Sequence, residues 1–80
     1  MKVPIRRIQK PVIQIPIQTE SIPLDAFLKL AGAVESGGRA KAEIQAGRVR
    51  LGGEVCTQRG RRLRPGDVVS FAGERYEVRD

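Results

Sequence analysis

Two apolar stripes at helical spacing, each too short to fold alone, constrain this chain more than any other feature. Leu24, Phe27, Leu28 and Ala31 recur at i, i+3, i+4 and i+7, with Pro23 near the entry and Gly32 just past the end. That pattern predicts a short amphipathic helix between Ser21 and Gly32. Ala40 and Ile44 make a narrower stripe between Ser36, an N-cap residue, and Gly47, a C-cap residue, which predicts a second helix. Joined by Gly32-Ala33-Val34-Glu35, two such helices cannot bury their apolar faces alone. They need a sheet.

The flanking sequence supplies one. Arg48-Val49-Arg50-Leu51 alternates, Gly52-Gly53 is a two-residue hairpin signal, and Glu54-Val55-Cys56 can return, with Val49 and Leu51 inward and Arg48 and Arg50 outward. Arg64-Pro65-Gly66-Asp67 has proline and glycine where a type II turn wants them. Val69-Ser70-Phe71 and Tyr76-Glu77-Val78 then form a second hairpin about Ala72-Gly73-Glu74. Upstream, Ile13, Ile15 and Ile17 share one face of a strand, and Pro4, Pro11 and Pro16 lack backbone donors, which places this strand at a sheet edge. The expectation is an α+β domain over residues 21–80, with two short helices packed on a small antiparallel or mixed sheet of about four to five strands. Residues 1–20 are read as an N-terminal arm carrying the edge strand. Its first ten residues are expected to be loose, so their deletion is expected to be harmless, whereas deletion of residues 1–20 is expected to lower stability.

The residue inventory excludes most catalytic chemistry. With no histidine and the single cysteine Cys56, the 80 residues cannot build a Cys/His zinc site, a Ser/His/Asp or Cys/His nucleophile, or an internal disulfide framework. No G-x-x-x-x-G-K-[ST] loop is present. No catalytic residue, metal or cofactor is therefore expected, and Cys56 reads as a small strand residue. The sequence also lacks the run of about 18 apolar residues that a membrane span requires, and it has no signal-peptide h-region. A cytoplasmic monomer is the default reading.

Charge points to the partner. The chain carries 15 Lys plus Arg against 9 Asp plus Glu, a net +6. Residues 36–64 hold eight basic and two acidic side chains, so this segment equals the whole net charge. Seven of its eight cations are arginine, whose planar fork suits phosphate, which favours nucleic acid over an anionic membrane. Extrapolating the second helix at its natural period, Lys41, Gln45 and Arg48 line up on one exposed side, and Arg50 continues that surface onto the following strand. Arg39 lies four residues before Glu43 and is partly occupied by that pair. Ser36-Gly37-Gly38-Arg39 opens the helix, where free N–H groups and two glycines would admit a phosphate. Capping alone and capping with phosphate contact both fit that turn. Arg59, Arg61 and Arg62 crowd a glycine-containing loop, read as wrapping a phosphate backbone in preference to a merely solvated segment. Phe27, Phe71 and Tyr76 all fall on inward positions, so single-strand stacking is not the expected mode.

The run Leu24-Asp25-Ala26-Phe27-Leu28, then Ser36 and Ala40, then Ile44 to Gly53, and finally Arg64-Pro65-Gly66-Asp67-Val68-Val69 resembles the S-four RNA-binding domain. The resemblance covers residues 22–79. It implies the alpha-L arrangement, with two helices on a small sheet and the second helix and adjoining loop against RNA. Carried over by position, the contacts fall on Ser36, Lys41, Gln45, Arg48 and Arg50. Glu35-Ser36-Gly37 and Ser70-Phe71-Ala72-Gly73 look like short single-domain bacterial members. Many members carry arginine where this chain has Gly37 and Pro23, so those two arginine side-chain contacts are missing here and the surface is shifted toward the arginine loop.

The functional expectation is a non-catalytic protein that grips structured RNA, ribosomal or transfer, during ribosome assembly or translation. Its contacts are Ser36, Gly37, Arg39, Lys41, Gln45, Arg48, Arg50, Arg59, Arg61 and Arg62. The rival is a protein-interaction adaptor that docks an acidic partner through the same basic face.

Overall fold

The computed structural model describes residues 11–80. The expectation about the first ten residues lies outside them. From Ile13 onward the chain runs through β1 (Ile13–Pro16), β2 (Ile22–Pro23), α1 (Leu24–Leu30), α2 (Gly37–Gln45), β3 (Val49–Leu51), β4 (Glu54–Val55), β5 (Arg62–Leu63), β6 (Val68–Phe71) and β7 (Glu74–Arg79). Five strands make one mixed sheet in the order β1-β7-β6-β3-β4, and β2 pairs with β5 in a separate two-stranded sheet. Among the described residues, no helix is long and apolar enough to cross a membrane.

Strand register explains which side chains go inward. Val49 faces Phe71 and Leu51 faces Val69 across β3 and β6, while Val69 faces Tyr76 across β6 and β7. These residues therefore share one face of the pleat, and Arg50, Ser70, Arg75 and Glu77 take the other. The inward set joins Leu24, Phe27 and Leu28 of α1, and Ala40 and Ile44 of α2, in a single core that also holds Val34 and Leu63. Burial of each large apolar side chain contributes about 1.5–3 kcal/mol, and that common core is what makes both short helices stable.

β1 lies at the sheet edge, in keeping with Pro16, and pairs in parallel with β7, with Ile13 opposite Tyr76 and Ile15 opposite Val78. Its apolar face is graded. Ile13 is 38% exposed, Ile15 is partly buried, and Ile17, whose N–H donates to the Arg79 carbonyl, is 6% exposed. The far edge, β3–β4, turns through Gly52 and Gly53 at φ of +62° and +92°, the left-handed pair that a tight hairpin needs. The Arg64–Asp67 turn closes through the Asp67 N–H to the Arg64 carbonyl at 3.0 Å, reinforced by the Arg64 N–H to Asp67 Oδ2 at 2.8 Å.

One expectation needs correction here. The arginine loop ends one residue earlier than expected, because Arg62 belongs to β5 and pairs with Pro23, while residues 59–61 stay outside any strand. Just before it, the Arg61 and Arg59 carbonyls accept from the N–H groups of Leu24 and Asp25 at 2.9 and 3.1 Å. The reason lies in α1. Its N-cap is Pro23, which has no side chain able to cap, so the first two orphan donors are satisfied by the arginine segment, while the Ala26 N–H donates to Asp25 Oδ1. Ile17→Ala is expected to lower stability by about 2–4 kcal/mol through cavity formation, whereas Ile13→Ala at the exposed end of the same face should cost under about 1 kcal/mol. Urea unfolding of the two variants checks this.

Candidate nucleic-acid interface

α2 places the basic side chains. Ser36 caps it, with Oγ accepting from the Arg39 N–H at 3.2 Å. The buried stripe is Ala40 and Ile44. At 3.6 residues per turn, Arg39 and Glu43 fall on one flank of that stripe and Lys41 and Gln45 on the other. The helix ends in a Schellman motif. Gly47, at φ +79°, donates to the Ile44 carbonyl at 3.0 Å, and the Arg48 N–H donates to the Glu43 carbonyl at 3.2 Å.

That ending changes where Arg48 goes. Helical extrapolation aligns it with Lys41 and Gln45, but the chain reverses at Gly47 and delivers Arg48 to the opposite flank. Its Nη1 donates to Glu43 Oε1 at 3.0 Å, while Arg39 Nε donates to Glu43 Oε2 at 2.7 Å. One carboxylate thus receives two guanidiniums, one on each oxygen. The Glu43 side chain is only 8% exposed, yet those of Arg39 and Arg48 are 57% and 67% exposed, so the cationic ends remain accessible. The Arg39 hydrogen bond foremost, and then that of Arg48, hold the Glu43 carboxyl below its ordinary value of 4.5, against the opposing effect of burial.

The ten residues singled out by sequence are all exposed. Arg50 projects from β3 and donates from Nη1 to the Gly53 carbonyl at 3.2 Å, which leans it along the β3–β4 hairpin. Arg62 donates from Nε to Ser21 Oγ at 3.1 Å, so it is tethered to the entry of α1. Beside the arginine segment, Leu51, Val55, Gln58 and Arg61 line an open cleft of about 250 Å³. Cys56 borders it as a free, buried thiol whose Sγ lies 3.8 Å from the Gln58 carbonyl. One contact and one burial escaped the sequence reading. Ser21 carries no signal for its contact with Arg62. Glu43 reads as a surface partner of Arg39, and its burial between two arginines could have been anticipated only from the chain reversal at Gly47.

Comparison with known proteins settles the family. A profile of the S4 domain matches residues 15–79. The chain belongs to the S4 domain family. RlbA of Bacillus subtilis strain 168, named as a probable ribosome maturation protein, is 46% identical over 59 residues, covering 74% of this chain and 83% of RlbA. YbcJ of Escherichia coli K12 is 40% identical over 57 residues, covering 71% of this chain and 81% of YbcJ. The solution structure of YbcJ, described as revealing an alpha-L motif involved in RNA binding, superposes with a TM-score of 0.68 at 31% identity, over 99% of this chain and all of that one. The α+β alpha-L architecture expected from sequence is therefore the architecture found, and the chain is an S4 RNA-binding domain.

The depressed Glu43 pKa has a consequence for stability. Its folded value lies below its unfolded value, so the stabilisation is full above about pH 4.5 and is lost as pH falls through the folded value. Wild type is expected to melt above Glu43→Gln at neutral pH, with the gap closing on acidification below 4.5, as thermal melts of both proteins across pH will report.

Proposed function

We propose that this chain is a non-catalytic cytoplasmic protein that binds structured RNA, ribosomal or transfer, through phosphate contacts and shape, and that it acts in ribosome maturation or translation. The observation that carries this reading is the segregation of charge. Residues 36–64 account for the entire net +6, and their arginines stand exposed along α2, β3 and the segment that caps α1. A surface made only for solubility would intersperse both signs.

The proposed contacts are the Ser36–Gly37 turn, Arg39, Lys41, Gln45, Arg48, Arg50, Arg59, Arg61 and Arg62. Gly37 has nothing within 4 Å of where a side chain would begin, so a phosphate can approach the helix start closely. Arg59, Arg61 and Arg62 sit on backbone held by α1 and β2, which lowers the ordering cost of engaging RNA. Without accessible aromatic platforms, recognition rests on the A-form backbone and its hydroxyls. The name of RlbA favours a ribosomal context, and the description of the YbcJ structure favours the alpha-L surface as the RNA-binding element. The protein acts as a monomer in this reading.

The test is crosslinking of native protein to its RNA, followed by titration of the recovered RNA across a salt series. Four to six neutralised phosphates predict that log affinity falls with log salt at a slope of about −3 to −5. Lys41→Ala combined with Arg50→Ala is expected to make that slope shallower by about 2 with an unchanged melting temperature, because both side chains are exposed. Recovery of no RNA class, with a stoichiometric protein complex surviving nuclease, would instead establish an adaptor that docks an acidic partner.

A further inference from the structure

Glu43 is an odd residue to find between two arginines of a basic surface. If the face worked by net charge alone, a carboxylate there would weaken it. The carboxylate is nevertheless nearly buried, both oxygens are used, and the two groups it binds are the arginines on either side of it. Its backbone carbonyl accepts the Arg48 N–H as well, so Glu43 joins α2 to the entry of β3 through main chain and side chain together.

Each guanidinium has five N–H donors, of which Glu43 takes one: Nε from Arg39 and one Nη1 hydrogen from Arg48. Arg39 keeps both of its terminal nitrogens free of this pair, and Arg48 keeps Nε and Nη2. The carboxylate therefore tethers two charged forks side by side and leaves most of their donors uncommitted to it. A free arginine carries considerable side-chain entropy, part of which is lost on engaging a phosphate. Here that loss is met on folding.

We propose that Glu43 is a positioning residue that makes the basic face selective for structured RNA, by holding Arg39 and Arg48 at a spacing suited to two phosphates of an A-form backbone. A rigid pair of cations matches phosphates that are themselves held at fixed positions in a helix. A flexible single strand gains nothing from that rigidity, since it can adapt to mobile arginines as well as to fixed ones. The inference rests on the structured-RNA reading above and deepens it.

The test exploits opposite signs. Glu43→Gln removes a negative charge, so simple electrostatics predicts tighter binding to every RNA. Positioning predicts the reverse for a folded target: affinity for a defined RNA stem-loop falls about tenfold, the order expected when two rotamer-rich side chains are released. Affinity for poly(U) of the same length is expected to hold or rise. Arg39→Lys combined with Arg48→Lys preserves net charge, alters only exposed side chains and removes the planar forks, and it is expected to lose the same discrimination. It carries the test should Glu43→Gln fail to fold. Discrimination by wild type that persists in a folded variant would overturn the inference alone, as would an equal loss for both RNAs, which is the mark of a merely structural role. Equal binding of both RNAs by wild type would overturn the structured-RNA reading and the inference with it.

Discussion

Helices of seven and nine residues do not persist in water, so α1 and α2 exist only because a common core covers Leu24, Phe27, Leu28, Ala40 and Ile44. Everything on the basic side of the molecule follows from that dependence. Once α1 is held against the core with Pro23 at its start, its first N–H groups need outside acceptors, and the carbonyls of Arg59 and Arg61 provide them. Once α2 is held by its narrow stripe, its flanks are free to carry charge. The packing that makes the helices stable is thus also what orders the arginines.

The two helix ends do this in different ways. At α1, backbone acceptors from a distant segment replace a missing cap, and Arg62 adds a side-chain link to Ser21. At α2, a glycine in the left-handed region reverses the chain so that Arg48 comes back beside Glu43. Both devices convert long, mobile cationic side chains or their backbone into ordered features of the surface.

Much of the architecture was legible in local sequence. The helical stripes, the Gly52-Gly53 hairpin, the Pro65-Gly66 turn and the inward alternation of β3, β6 and β7 each follow from period or turn chemistry within a few residues. The edge position of β1 was also legible, because proline cannot donate to a ladder on both sides. What the sequence could not convey was contact between distant segments. The β2–β5 ladder has two residues per strand, too few for any period, and it joins residues some forty positions apart. The parallel pairing of β1 with β7 is equally non-local. At the candidate site, Lys41, Gln45, Arg48 and Arg50 are exposed as expected, yet the position of Arg48 differs, since extrapolating a helical period beyond Gln45 ignores the turn that ends the helix.

In the proposed function, the basic surface of α2, β3 and the segment that caps α1 receives folded RNA. Amide chemical-shift mapping of the labelled protein with an RNA stem-loop addresses it most directly. The largest perturbations are expected on Gly37, Arg39, Lys41, Gln45, Arg48, Arg50 and residues 59–62, with β1 and β7 little changed. Perturbations centred on β1 and β7, with α2 and the arginine segment silent, would contradict it.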